Sequence, residues 1–225
     1  MGLRKRIGLG FSLPPRSVLT LFLAVAHSGG PDSTCLLFLL ARHLANSSGV
    51  VSLTVDHGLQ PSSREMAEQC AKTAATLGVP HITTRIPWSV PPFPAMPSKD
   101  EPFERIAREA RYHVLFHDML RVGAPILALG HHANDQAETS LMRLGKLTTE
   151  LGAGGMRRCR RWGMGFGRDS HSLGWAGHEG IDRWILRPLL DVSKVRRMSL
   201  PLDLLTNGAA GSDSCHMRRV QPRIR

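Results

Sequence analysis

Four short apolar runs, each closed by a polar loop and followed by a helix-length segment, constrain this chain more than any other feature. Residues 19–25 read as a buried strand, being short, apolar and stopped by a glycine-containing loop. The apolar run from Thr34 is long enough for a helix reaching about Leu44. "VVSLTVDHGL" (50–59) is a second strand, and Ser62 with Glu65 predicts a capping box opening a helix that stops at Gly78. "PHITTRI" (80–86) is a third strand. Six of the fifteen prolines fall between Pro87 and Pro102, which predicts an extended surface loop.

A helix follows, on which Phe103, Ile106, Ala107, Ala110 and Val114 form one apolar stripe. "PILALG" (125–130) is the fourth strand and "NDQAETSLMRLGKL" (134–147) the next helix. Parallel strands need crossovers, so the alternation predicts an α/β fold, a parallel sheet with helices on both faces in the Rossmann-like manner. Ligands in such sheets bind outside the carboxyl ends of the strands, which singles out the loops 27–33, 56–60 and 130–138. Residues 152–180 hold nine of the 22 glycines together with Arg157, Arg158, Arg160, Arg161 and Arg168, and read as a flexible basic loop.

Charge bears on the partner. The 225 residues carry 29 Lys and Arg against 18 Asp and Glu, a formal net charge of +11. That favours a polyanion such as nucleic acid or an anionic membrane surface, although basic proteins without either partner are common. The longest apolar run, 18–26, is far short of the roughly 20 residues of a membrane helix. Cys35, Cys70, Cys159 and Cys215 lie far apart with no C-x-x-C, against a zinc ribbon, a redox dithiol or a disulfide scaffold, and a reducing compartment is the default. Arg4, Lys5, Arg6 and Arg16 precede the first acid, Asp32, so residues 1–18 are a candidate mitochondrial leader or a plain basic tail. The expected location is mitochondrial or cytoplasmic, the basic, acid-free start slightly favouring the former.

The loop "HSGGPDS" (27–33) carries the first chemistry. It joins a buried strand to a helix, so free N–H groups at the helix start would face an anion. Gly29 and Gly30 let the backbone approach phosphate, and Ser28 and Ser33 offer hydroxyls, with Pro31 a further candidate of the same binding loop. Asp32 would repel phosphate unless it held a divalent cation bridging to it, so the loop predicts a nucleotide with Mg²⁺. No G-K-[ST] follows, so this is not a Walker A loop, nor is it G-x-G-x-x-G. An ordinary Gly-Pro-Asp turn is the competing reading.

In "HHANDQAET", His131, Asp135 and Glu138 fall at i, i+4 and i+7, a spacing that would place them on one helix face just past a strand end. They are candidates to bind a metal, and the missing third nitrogen or sulfur ligand favours magnesium over zinc. In "AREARY", Arg108 and Arg111 sit beside the apolar stripe; a plain surface ion pair of Arg108 with Glu104 is the commoner fate of such residues.

"SGGPDS" after a strand resembles the PP-loop of the N-type ATP pyrophosphatases. With "TVDHGLQPSSREMAEQC", "AREARYHVL", "LGHHANDQAETSLMRL" and "ILRPLLDVSK" in the same order, residues 19–195 resemble the tRNA(Ile)-lysidine synthases. The resemblance implies cleavage of ATP between its α and β phosphates, pyrophosphate on the loop (Ser28 to Ser33), adenosine near Asp56 and His57, and Mg²⁺ on Asp32 and Asp135. It implies an isoleucine tRNA with a CAU anticodon and free L-lysine as partners, the wobble cytidine being adenylated and then converted to lysidine. Asp32, His131, Asp135, Glu138, Arg108 and Arg111 become the catalytic candidates, with His131 or a carboxylate as the base for the lysine amine. Arg157, Arg158, Arg160, Arg161 and Arg187 become candidates for tRNA contacts. A homo-oligomer is compatible with all of this.

The sequence departs from the family at His27, where a small or apolar residue is usual, and at Asn134, often Asp. Beyond Lys194, "DLLTN" (203–207) and "RIR" (223–225) only faintly echo the family, so 196–225 read as a divergent, candidate truncated tail. Two further readings stand beside this one. One is a tRNA thiolase of the same superfamily, which commonly uses paired cysteines; the other is a non-catalytic nucleotide- or RNA-binding remnant.

Overall fold

The computed structural model describes residues 22–44, 49–97, 103–145, 155–163 and 175–193. The basic segment 1–18 and the tail 196–225 lie outside the described residues. The described chain forms one six-stranded sheet in the order β3-β2-β1-β4-β6-β5. The elements follow as β1 (Leu23–Ala26), α1 (Pro31–Leu44), β2 (Val50–Asp56), α2 (Ser63–Thr76), β3 (His81–Arg85), α3 (Phe103–Arg121), β4 (Ile126–Ala128), α4 (Ala133–Gly145), β5 (Cys159–Arg161) and β6 (Trp184–Leu186). All pairings are parallel except β5 with β6.

The expected α/β architecture is present, with helices on both faces. Alternation along each strand sorts the core into two layers. Ala24, Val51, Leu53 and Leu127 pack with Tyr112, Leu115, Phe116 and Met119 of α3 on one face. Leu23, Val25 and Val50 pack with Leu36 and Leu37 of α1 and Ala74 of α2 on the other. Each fully buried leucine contributes roughly 1.5–3 kcal/mol through its apolar surface. The chain runs outward from β1 to β3, then α3 crosses to the opposite face and returns to β4 beside β1. That reversal opens a crevice between the ends of β1 and β4, the position where such sheets bind ligands.

Helix ends explain several boundaries. α1 starts at Pro31 rather than Thr34, because Pro31 brings a pre-set φ and lacks the N–H that a first helical residue could not bond. The predicted capping box of α2 does not form: Ser62 has helical backbone angles (φ −72, ψ −9) and its side chain makes no capping bond. A turn takes its place, with Ser63 Oγ donating to Gln60 O at 2.8 Å. At the other end Gly78 (φ 66) permits the closing pair Gly78 N to Ala75 O (3.0 Å) and Val79 N to Ala74 O (2.9 Å), a Schellman motif.

Two loops differ from expectation. The described part of the proline-rich segment is folded rather than extended: Ser89 N donates to Pro94 O at 2.9 Å, and Phe93 packs against Ile86, Ala110 and Val114. The basic stretch 152–180, read as a flexible loop, contains the edge strand β5, paired Cys159↔Leu186 and Arg161↔Trp184. No described helix is long and apolar enough to cross a membrane.

Candidate active site

The three loops singled out by the strand-end rule meet around one cavity of about 490 Å³. Its wall includes Ser28, Asp32 and Ser33 from the loop after β1, His57 and Gln60 from that after β2, and Gly130, His131 and Asp135 from that after β4. Arg111 and Tyr112 of α3 and Cys70 of α2 complete it.

The β1 loop is held from within. Ser28 N donates to Ser33 Oγ at 3.2 Å, and the two hydroxyls lie 3.2 Å apart. Ser33 Oγ donates to Gly30 O at 3.0 Å. Gly29 adopts φ 78, which an L side chain rarely tolerates, and a Cβ there would also sit 3.1 Å from Cys70 Sγ. The first turn of α1, the positive end of the helix dipole, opens onto the cavity at Asp32 and Ser33.

Gly130 was not singled out by sequence. A Cβ at this position would lie 3.0 Å from Ser33 N and 3.1 Å from the Asp32 carbonyl carbon, so the end of β4 touches the backbone of the α1 first turn. Only a glycine allows that approach.

The second loop is organised by His132, also not picked out by sequence. His132 Nε2 lies 3.5 Å from Asp32 Oδ2, and its Nδ1 lies 3.6 Å from Asp135 Oδ2. Because α4 begins at Ala133, His132 caps it: Asp135 N donates to His132 Nδ1 at 3.3 Å and His132 N donates to Asp135 Oδ2 at 2.9 Å. This is a capping box with histidine in the cap position. His132 thus reaches both loops, its ring nitrogen Nε2 facing Asp32 and its backbone N–H holding the Asp135 carboxylate. The sequence signal was the i, i+3 spacing of His132 and Asp135.

The set His131, Asp135 and Glu138 does not share a helix face as expected. His131 precedes α4, and Glu138 is exposed and away from the cavity wall. Among the described residues no group of three or more His, Cys, Asp or Glu is placed to hold a metal unaided. Two hard carboxylates on one wall, Asp32 and Asp135, suit an ion such as Mg²⁺ that takes further oxygen ligands from phosphates.

His131 is neutral, its pKa lowered to about 4 by burial and then by Arg187. Arg187 Nε donates to His131 Nδ1 at 3.2 Å, which places the imidazole proton on Nε2. His131 is thereby a hydrogen-bond donor, and its basic nitrogen is already engaged. Arg187 is itself buried, 5% exposed, and also donates from Nη1 to Arg157 O at 2.8 Å. It braces His131 and β5 from inside the protein.

The remaining candidates divide. Arg111 lines the cavity, and burial followed by the nearby Arg108 cation lowers its pKa against the opposing pull of Tyr112. Arg108 is exposed, its guanidinium 5.6 Å from the Tyr112 ring centre. Asp56 turns away into its own loop, where Oδ1 accepts from Gly58 N at 2.8 Å, and pairs with Arg85 at 4.0 Å. His57 faces the cavity, its pKa lowered by burial and by Arg111. The basic stretch is not a single patch: Arg158 pairs with Asp191, Arg161 lies over Trp184 at 5.3 Å, Arg160 is half-buried, and Arg157 is exposed. Alternation along β5 sends Arg160 and Arg161 to opposite faces.

Buried neutral histidines set a pH limit on the fold. His27 and His113 are 2% and 3% exposed, and burial lowers each pKa from 6.5 to about 4. Unfolding lets both take up protons between those values, so their contribution is complete above pH 6.5 and is lost as pH falls toward 4. Asp118 opposes this weakly, since burial raises its pKa and the folded chain protonates it first. The midpoint of thermal unfolding should be flat from pH 8 to 7 and fall steadily from 6.5 to 4, with a stability loss of at least roughly 2 kcal/mol. A midpoint unchanged down to pH 4 would contradict the burial of these rings.

Residues 18–199 match the family described as the PP-loop domain. The chain is similar to the tRNA(Ile)-lysidine synthase of Hyphomonas neptunium, 34% identical over 203 residues, covering 90% of this chain and 48% of that protein. It is similar at 35% identity over 210 residues to that of a Bradyrhizobium species, covering 90% and 50%. The chain thus spans about half the length of these relatives. Among solved structures it is similar in fold to the U34-tRNA thiolase NcsA from Methanococcus maripaludis with its [4Fe-4S] cluster. There the TM-score is 0.59 at 16% identity, covering 83% of this chain and 56% of that one.

Proposed function

The chain belongs to the family of PP-loop domains, and on that footing we propose that it activates a tRNA base with ATP, releasing pyrophosphate, and then joins lysine to that base. The acceptor is the wobble cytidine of an isoleucine tRNA with a CAU anticodon. The observation that carries the reading is the junction of the β1 and β4 loops at the switch point, where His132 links Asp32 to Asp135 beside the glycine loop.

In the first step the cytidine C2 carbonyl oxygen attacks the α-phosphate and pyrophosphate leaves. Loop N–H groups and the Ser28 and Ser33 hydroxyls hold the departing phosphates. His131 offers its Nε2–H, and Arg111 its guanidinium, to charge gathering on the transferred phosphoryl group. Mg²⁺ held by Asp32 and Asp135 would supply further neutralisation of that charge. In the second step the lysine amine attacks C2, loses a proton and displaces AMP. A carboxylate not engaged by that ion is a better proton acceptor for the amine than His131, whose lone pair Arg187 occupies.

The test incubates the protein with ATP, Mg²⁺, labelled lysine and isoleucine tRNA bearing CAU or, as a control, a GAU anticodon. Label in the CAU tRNA alone supports the reading. ATP binding without label in either contradicts it and favours the remnant; transfer of sulfur from an added donor favours the thiolase.

A further inference from the structure

Behind the phosphate loop, five side chains form one line of hydrogen bonds across three strands. Ser52 on β2 and His81 on β3 are register partners on the α1–α2 face, and His27, just past β1, stands on the same face. Thr34 Oγ1 donates to Gly30 O at 3.0 Å. His27 Nε2 lies 3.2 Å from Thr34 Oγ1, and His27 Nδ1 lies 3.4 Å from Ser52 Oγ. His81 Nδ1 lies 3.0 Å from Ser52 Oγ, and His81 Nε2 lies 2.9 Å from Thr83 Oγ1. His27 is 2% exposed and Ser52 0%.

The polarity of this line follows from its first bond. With its proton given to the Gly30 carbonyl, Thr34 Oγ1 accepts from His27 Nε2–H. His27 Nδ1 then accepts from Ser52, Ser52 accepts from His81 Nδ1–H, and His81 Nε2 accepts from Thr83. Every hydroxyl donates once, and each neutral imidazole has one defined tautomer. At the loop end the Gly30 carbonyl receives Thr34 N at 3.1 Å and the hydroxyls of Ser33 and Thr34 at 3.0 Å each. A carbonyl so engaged is turned toward α1, leaving N–H groups rather than a negative dipole to meet an anion.

We propose that His27 is a positioning residue for the anion loop, holding the Gly30 carbonyl away from the bound phosphates through Thr34, with Ser52 and His81 selecting its tautomer from the sheet. The proposal rests on the nucleotide reading of the cavity. Thr54 Oγ1, donating to His27 O at 2.7 Å, anchors the same residue by its backbone.

Two measurements test it. Imidazole ¹⁵N spectra of the wild-type protein at pH 7.5 should show His27 protonated on Nε2 and His81 on Nδ1, the less common neutral form. The reverse pair, or two averaged rings, overturns the proposal without any variant. Ser52→Ala, a site off the cavity wall, and Thr34→Val should each weaken ATP binding roughly fivefold, with Thr34→Ser restoring it. His27→Phe should weaken binding further and His27→Gln, which keeps a donor and an acceptor, should recover part of the loss. A lowered unfolding midpoint with unchanged ATP affinity overturns the positioning role. Wild-type protein that binds no ATP overturns the nucleotide reading instead, and the ¹⁵N spectra still report on the line of hydrogen bonds.

Discussion

Asp32→Asn is expected to reduce tRNA-dependent release of pyrophosphate from ATP by roughly 10²–10³-fold, the largest effect of any single substitution considered. Asp32 lines the cavity in the first turn of α1, and its Oδ2 lies 3.5 Å from His132 Nε2. Asparagine keeps the shape and removes the charge, so it would delete the proposed ligand for a divalent ion and the carboxylate facing His132 while leaving the helix start intact. The comparison to make is pyrophosphate release at saturating Mg²⁺ together with the thermal midpoint of both proteins. A variant with near wild-type release would remove Asp32 from the chemistry. Loss of release accompanied by a collapsed midpoint would assign it to folding instead.

Gly130→Ala ranks second and acts sterically. Its new methyl would meet Ser33 N at 3.0 Å and Asp32 backbone carbon at 3.1 Å, and backbone cannot swing aside as a side-chain tip can. Either β4 or the first turn of α1 must shift, at a cost of roughly 1–3 kcal/mol in stability. The functional cost should exceed the structural one, because the displaced atoms belong to the loop proposed to hold the phosphates. ATP affinity, read by calorimetry, should fall at least tenfold, whereas Gly123→Ala, a glycine with open space around its Cβ, should cost only backbone strain and leave affinity intact. Equal ATP affinity in the Gly130 variant and wild type would show that the loop does not depend on this contact.

The parallel core was legible in the sequence because buried parallel strands are continuous apolar runs, and β1, β2 and β4 are such runs ending in glycine or polar loops. The strands β5 and β6 were not legible. Each is three residues long, and Cys159–Arg161 carries no apolar pattern, so nothing local separated it from the glycine- and arginine-rich loop around it. Its pairing with β6 is a tertiary fact. The loop from Ser28 to Ser33 was legible because its chemistry is written in consecutive residues. The second half of the site was less legible: counting from His131 presumes a helix that includes it, whereas α4 starts at Ala133 and His132 caps it. Arg187 shows the opposite limit, since nothing local told a tRNA contact from a locally satisfied loop residue, whereas here three acceptors, the ring of His131, the Arg157 carbonyl and Tyr112, hold it inside the protein.

The fate of ATP tests the central claim most directly. With ATP labelled separately at the α and γ phosphates, Mg²⁺ and isoleucine tRNA bearing CAU, the γ label should leave as intact pyrophosphate in the first step, and the α label should appear as AMP once lysine is added. The proposed seat of pyrophosphate on the β1 loop predicts that cleavage. ADP with inorganic phosphate as the products would contradict it.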